Sequence, residues 1–387
     1  MAERERIAAE VEGNRLTLLT EGPEQLDALI ATIDDARTSL RLLYYTLADD
    51  ASGRRVRDAA VAACRRGVDV ALIVDGFGSD LGDDFLKPLE EAGASACRFS
   101  PRVGRRYLLR NHQKLALADE MRALIGGFNV EDDYFAEGDR GWRDLGLIVE
   151  GPAACHLAGY FDALTEWAGR PAGRIRDLNR LIVDKSQDEG RLRWLLGGPT
   201  RRLSPWANAL RADIKRGRRG DIVAAYFAPS LGVLRRIGRL ARGGDVRIVT
   251  AAKSDNETTI AAARHTYPRL LRHGARVFEY QPGKLHTKLF VIDDATYLGS
   301  ANCDMRSLFL NLEIMLRIED AGFADRMRAY IDGEIARSRE ATRERLRKAA
   351  GPVTRARWSA AYFLVAVVDF SVTRRLNLPS GSDEIAG

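Results

Sequence analysis

Apolar and polar positions along the chain switch between a strand period and a helix period, and the order of the switches recurs in the second half. SLRLLYYTLADD (39–50) reads as a strand, SGRRVRDAAVAACRRGV (52–68) as an amphipathic helix, and DVALIVDGFGS (69–79) as a buried strand ending in a Gly-rich loop. DIVAAYFAPS (221–230), LGVLRRIGRLARGG (231–244) and DVRIVTAAKSD (245–255) repeat that order. Internal repetition sets the architecture, so an α/β fold of two similar halves is expected, each a mixed β-sheet flanked by helices.

The repeat continues where the polar residues are unusual. NHQKLALADEMRALIGGFN (111–129) is matched by LHTKLFVIDDATYLGSAN (285–302). Each reads as an apolar-alternating strand carrying His and Lys, a turn at Asp, and a second strand entering a Gly-rich turn with Asn. DLGLIVE (144–150) is matched by EIMLRIE (313–319), each opening with a carboxylate. Turn formers and charges cluster at 170–205, so the expected division is 1–185, 186–350 and a tail, 351–387.

Helix signals dominate 321–348, and the mixed-charge run REATRERLRK (339–348) reads as a solvated helix face. In the tail, the apolar run Ala360–Val368 extends about 14 Å as a helix, short of the ~30 Å bilayer core, so it cannot span. With Arg355, Arg357, Arg374 and Arg375 around Trp358 and Tyr362, it suits a membrane interface; packing on the core or against a second copy suits it equally.

Composition narrows this picture. At 387 residues and 45% hydrophobic, the chain is too long for one ordinary core. A net charge of +6 favours an anionic partner. Aromatic residues are only 7%, with no aromatic-studded basic strand and no helix-turn-helix signature, so no nucleic acid partner is expected. Cys64, Cys97, Cys155 and Cys303 form no C-x-x-C pair and read as core thiols in a reducing compartment. The charged start MAERERIAAEVEGNR has no signal-peptide pattern, which directs the expectation to the cytoplasm. Without H-E-x-x-H or a dense His/Asp/Glu cluster, neither a metal nor another cofactor is expected.

The duplicated polar set is what phosphodiester chemistry needs: a nucleophile, a proton donor for the leaving alcohol, and cations for the phosphoryl oxygens. The candidate catalytic residues are His112, Lys114 and Asp119 with His286, Lys288 and Asp293. Residues i and i+2 of a strand share a face, so each His projects with its Lys. Asp144 and Glu313 are expected to accept a hydrogen bond from a histidine Nδ1–H, leaving Nε2 for chemistry. Asn129, Asn302 and Ser300 sit in the glycine turns and are expected to support the phosphate. Asp119 and Asp293 are expected to order the turn and the lysine rather than touch substrate. His156, His265 and His273 lack repeat partners and read as structural or surface residues.

At these residues the chain resembles the phospholipase D superfamily, and within it the bacterial cardiolipin synthases. RNHQK (110–114), GGFNVEDDY (126–134), GWRDLGLIVEGPA (141–153), EYQPGKLHTK (279–288) and GSANCDMRSLFLNLE (299–313) carry the resemblance, with VDGFGSD (74–80) and AKSDN (252–256). It covers roughly 13–350 and is greatest to synthases lacking N-terminal transmembrane helices, since EGNRLTLL (12–19) leads directly into the first half.

The resemblance implies two phospholipase D-like domains related by a pseudo-twofold, with the active site at their interface. It implies metal-independent phosphatidyl transfer through a phosphohistidine, with His112 as nucleophile and His286 as acid and then base. The donor would be phosphatidylglycerol or another phospholipid and the acceptor phosphatidylglycerol, met by peripheral contact with the inner face of the cytoplasmic membrane, with no obligate protein partner. Leu43 departs from the pattern, standing where relatives commonly carry Glu. Hydrolysis to phosphatidic acid, or a phosphodiesterase or nuclease reaction, would use the same motif.

Overall fold

The computed structural model describes residues 7–82, 84–99, 109–170, 174–200 and 203–368. Each half builds an eight-stranded mixed sheet. The first runs in the order Ala8–Val11, Asn14–Leu19, Gly146–Glu150, Arg122–Gly126, Lys114–Ala118, Ser39–Tyr44, Asp69–Asp75, Ser95–Phe99. The second runs Leu192–Gly197, Glu313–Glu319, Ala295–Gly299, Lys288–Ile292, Arg219–Ala224, Asp245–Ala251, Arg276–Tyr280, Ser338–Ala341. The strands opening at Lys114 and Lys288 therefore hold equivalent central places, each between two antiparallel neighbours.

Beyond one of these neighbours the pairing is parallel, Ser39–Tyr44 with Asp69–Asp75 and Arg219–Ala224 with Asp245–Ala251, and comes from helical crossovers. The helix Ala51–Arg65 begins where the Asp50 carboxylate accepts from Gly53 N, and buries Val56, Ala60, Val61 and Ala63. Its counterpart Leu231–Gly243 begins at Ser230, whose hydroxyl accepts from Val233 N. The chain passes from the first sheet to the second between Glu150 and Leu192, through the helices Pro152–Gly169 and Ile175–Asp184.

All five residues of KLALA and of KLFVI are buried, so the motif strands do not alternate between core and solvent. The period of two survives as a choice between two cores. Leu115 and Leu117 join Leu289 and Val291 in one cluster shared by both halves. Ala116 and Ala118 turn into a core private to the first half, and Phe290 and Ile292 into one private to the second. The shared cluster is filled by Leu157, Tyr160, Phe161 and Leu164 of Pro152–Gly169 and by Phe323, Met327 and Ile331 of the helix Ala321–Ala336. The two sheets are thereby joined through apolar packing.

Two expectations change. The run at 339–348 is not one helix face: Ser338–Ala341 is an edge strand antiparallel to Arg276–Tyr280, and only Arg343–Ala349 is helical. Charged side chains suit such an edge, and Arg276 pairs with Glu340 at 3.0 Å across it. The motif strands also start later than expected, at Lys114 and Lys288, with each histidine just before its strand.

The described part of the tail forms a helix, Pro352–Phe363, packed on the helix Glu257–Arg272. Tyr362 donates to Pro229 O at 2.7 Å and stacks on His265, whose Nδ1 lies 3.1 Å from Ser359 Oγ. Arg374 and Arg375 lie outside the described residues. Among the described residues, no helix is long and apolar enough to cross a membrane.

Candidate active site

The segments that carry the histidines bond to the opposite half. Leu312 N donates to Arg110 O at 2.9 Å and His112 N to Leu312 O at 3.0 Å. In the equivalent place, His286 N and Thr287 N both donate to Arg143 O, at 2.8 and 3.0 Å. Side chains repeat the brace: Gln113 Nε2 donates to Glu313 O at 3.1 Å, and Thr287 Oγ1 to Arg143 O at 2.9 Å. Each histidine is thus registered by backbone against the carboxylate strand of the other repeat.

The carboxylates are consequently exchanged. His112 Nδ1 lies 3.1 Å from Glu313 Oε2, and His286 Nδ1 lies 2.6 Å from Asp144 Oδ2. An Nδ1–H held this way leaves the Nε2 lone pair for chemistry. Lys114 Nζ donates to His112 O at 2.7 Å, and Lys288 Nζ donates to His286 O. Lys288 Nζ also lies 2.7 Å from His286 Nδ1 and 3.9 Å from Asp144 Oδ2. One Nδ1 cannot accept from the lysine while donating to the carboxylate, and the shorter, charge-assisted contact to Asp144 decides for donation.

The two carboxylates are anchored differently. Glu313 accepts from the hydroxyls of Ser300 and Ser307, and Ser300 Oγ accepts in turn from Ile314 N at 3.1 Å. Ser300 therefore orients Glu313, the supporting part of its expected role. Asp144 Oδ1 accepts from Leu145 N at 2.8 Å. Gly127, the repeat counterpart of Ser300, leaves room for it: a Cβ there would stand 2.5 Å from Asp144 Oδ1.

For Asp119 and Asp293 the expected hold on the lysine is corrected. Both adopt positive φ, 52° and 46°, in the turns that end the motif strands. The Asp119 carboxylate accepts from the backbone amides of Arg37, Thr38 and Ser39 and from the Thr38 hydroxyl. Asp293 accepts from the amides of Arg218 and Arg219. Each lies five residues beyond its lysine, roughly 17 Å along a strand, and neither contacts it. They fix the entry of the neighbouring strand, as expected of a turn residue, but order no lysine.

Asn129 Nδ2 donates to Tyr134 Oη at 3.1 Å, while its Oδ1 accepts from Thr46 N. Asn302 is buried with an Oδ1 that has no partner among the described residues. Leu43 is fully buried in the shared cluster, in register with Leu115 and Ile73.

Several neighbours escaped the sequence reading. Tyr134 Oη lies 3.5 Å from His286 Nε2, and Trp142 stacks on Tyr134 and meets His286 edge-on at 5.2 Å. Tyr45 sits 5.1 Å from His112, centroid to centroid. Asp75, fully buried, accepts from Asn111 N at 2.7 Å and from Phe77 N and Gly78 N, which steadies the segment before His112. A signal for Tyr134 and Ser307 existed: both stand eight residues after the first glycine of their turns. Asp75 has no such partner, since Ala251 occupies its repeat position.

Burial dominates the electrostatics. It pushes Lys114 down to about 7 and Lys288 down to about 8. His112 is lowered by burial and then by Lys114, and His286 is lowered to about 3 by burial and then by Lys288. At neutral pH both imidazoles are therefore uncharged.

Two equivalent halves that exchange carboxylates across paired His-x-Lys segments define a phospholipase D-like protein. Residues 29–165 and 210–335 match the family described as cardiolipin synthase, PLD-like domain. Cardiolipin synthase A of Pseudomonas putida is 32% identical over 346 residues, covering 86% of this chain and 70% of the relative. That of Pseudomonas fluorescens is 32% identical over 350 residues, covering 87% and 71%. The chain belongs to this cardiolipin synthase family. Its fold is also that of phosphatidylserine synthase from Haemophilus influenzae, at a TM-score of 0.71 and 13% identity over 93% of this chain and 96% of the other. Polyphosphate kinase from Porphyromonas gingivalis follows at 0.56 and 16%, over 82% and 50%.

Proposed function

We propose that the chain is a phosphatidyltransferase that joins the phosphatidyl group of one phosphatidylglycerol to the headgroup hydroxyl of a second, forming cardiolipin and releasing glycerol. The observation that carries this reading is the crossed pair, His112 on Glu313 and His286 on Asp144, with Lys114 and Lys288 beside it. Membership of the cardiolipin synthase family supports the choice of lipid.

In the first step His112 Nε2 donates its lone pair to phosphorus, and the bond from phosphorus to the glycerol oxygen breaks. His286 Nε2–H passes its proton to that oxygen, and glycerol leaves. The second step reverses the roles. The hydroxyl of the acceptor gives its proton to His286 and attacks phosphorus, and the bond to His112 breaks. Lys114 and Lys288 hold the non-bridging oxygens in both steps, with Asn302 as one amide donor and Asn129 as another once substrate displaces Tyr134 from its Nδ2.

His286 must gain a proton before it can act as the acid. Lys288 and Lys114 are among the causes that hold it neutral, so an anionic phosphodiester between the lysines offsets them and raises its proton affinity. Protonation is thereby coupled to substrate arrival. The enzyme meets its substrate at a membrane surface as a peripheral protein, a reading that its net charge of +6 supports.

Incubation of the purified protein with phosphatidylglycerol alone, with products identified by mass spectrometry, tests the reading. Cardiolipin with stoichiometric glycerol is expected; phosphatidic acid alone would reject transfer in favour of hydrolysis.

A further inference from the structure

A cleft of about 760 Å³ lies on the second half between the helices Glu257–Arg272, Arg343–Ala349 and Pro352–Phe363. Arg269, Arg272, Arg343, Arg347 and Arg355 line it together with Trp358, and none of its lining residues is Asp or Glu. None of the paired histidines, lysines or carboxylates of the active site borders it.

Among the described residues, none of these guanidiniums pairs with a carboxylate. Arg272 and Arg343 donate to the backbone carbonyls of Pro268 and Leu271. Arg269 Nε is buried with no partner among the described residues. Five cations facing one cleft repel each other unless an anion is placed among them.

The surroundings identify the anion as one end of an amphiphile. Seven large apolar side chains are exposed in the described residues, and four of them, Leu231, Val353, Phe363 and Leu364, belong to this cleft or to the tail segment that forms its wall. Arginines, a tryptophan and exposed apolar residues gathered on one cleft and the segment that walls it are what an interfacial lipid contact requires.

We propose that this cleft seats the phosphate headgroup of an anionic phospholipid in the bilayer, with the four apolar side chains entering the acyl boundary beside it. The lipid is bound there and not turned over. This rests on the reading of the chain as a phosphatidyltransferase working at a membrane, and adds to it a docking site separate from the chemistry.

The test compares the full chain with the triple variant Arg269→Gln/Arg272→Gln/Arg347→Gln and with a charge-matched control, Arg54→Gln/Arg55→Gln/Arg57→Gln, on the helix Ala51–Arg65. Binding is read by co-sedimentation with phosphatidylcholine vesicles with and without phosphatidylglycerol, after thermal melts verify folding. The cleft variant should lose about a hundredfold in affinity for the anionic vesicles, and the control no more than about threefold. Both should form product from detergent-dispersed phosphatidylglycerol at the rate of the unaltered chain. Equal losses in the two variants, or none in the cleft variant, would overturn the proposal. A cleft variant that loses sulfate binding yet keeps vesicle binding would also overturn it, marking a site for small anions. Failure of the unaltered chain to make cardiolipin while the vesicle result stands would reject the transferase reading alone.

Discussion

The two halves share one scaffold and differ in how they treat their histidines. Where the first half has Gly127 and a short carboxylate, Asp144, the second has Ser300 and a longer one, Glu313, gripped by two serine hydroxyls. Where the second has Ser307, the first has Tyr134, which ignores its own half's carboxylate and reaches His286. The His112 side chain keeps 12% exposure beside Tyr45, whereas that of His286 keeps 5% within Tyr134 and Trp142. A duplicated fold can thus place two like groups symmetrically and still give them different surroundings, which is what a nucleophile and an acid require.

The largest effect should come from the histidines themselves. His112→Ala and His286→Ala should each lower turnover by about 10⁴-fold with natural lipid. A donor with an activated aryl leaving group separates them, because such a group departs without an acid. His286→Ala should then accumulate a phosphohistidine detectable by mass spectrometry, and His112→Ala should not; the reverse pattern would exchange their roles.

Next are the exchanged carboxylates. Asp144→Asn and Glu313→Gln should each cost about 10- to 100-fold in kcat with little change in KM. Asp144→Asn should be the worse, since its contact with histidine is 2.6 Å against 3.1 Å. Equal pH profiles for both variants would deny the difference between the halves.

Anion affinity should report the lysines. With Lys114 near 7 and Lys288 near 8, both ammonium groups are charged below that range and the site loses positive charge as pH rises through it. Sulfate binding, measured by calorimetry from about pH 6 to about pH 9, should weaken by roughly tenfold, the worth of one pKa unit of coupling. Lys114→Met should remove the lower step and leave the upper one.

The smallest effect on catalysis should come from the motif aspartates. Asp119→Ala should lower stability by about 1–3 kcal/mol at near-normal turnover per folded molecule. Asp293→Ala should cost less, because Asp293 holds two backbone amides where Asp119 holds three amides and a hydroxyl. A fall in turnover without a fall in melting temperature would return these residues to the active site.

Much of this was legible in the sequence because the chain contains its own comparison. Aligning GGFN with GSAN, and DLGLIVE with EIMLRIE, exposes Asn129, Asn302, Asp144 and Glu313 with no outside reference. The edge strand Ser338–Ala341 was hidden by its charges, which pattern like a solvated helix until a neighbouring strand is in place. Asp75 was hidden because its work is on backbone amides of residues two, three and 36 positions away, and backbone donors carry no mark in a sequence.

By itself, the sequence determined the kinds of groups in the site, their order, and the pairing of each histidine with its lysine, since two residues apart on extended chain is a local geometry. The exchange of carboxylates was decided only by the tertiary structure. His112 and Glu313 are 201 residues apart and His286 and Asp144 are 142 apart. No local period spans such distances. The match is set by backbone bonds between the halves and by the apolar cluster that closes them, so the same residues could satisfy every local rule and still be paired only by the packing of one sheet against the other.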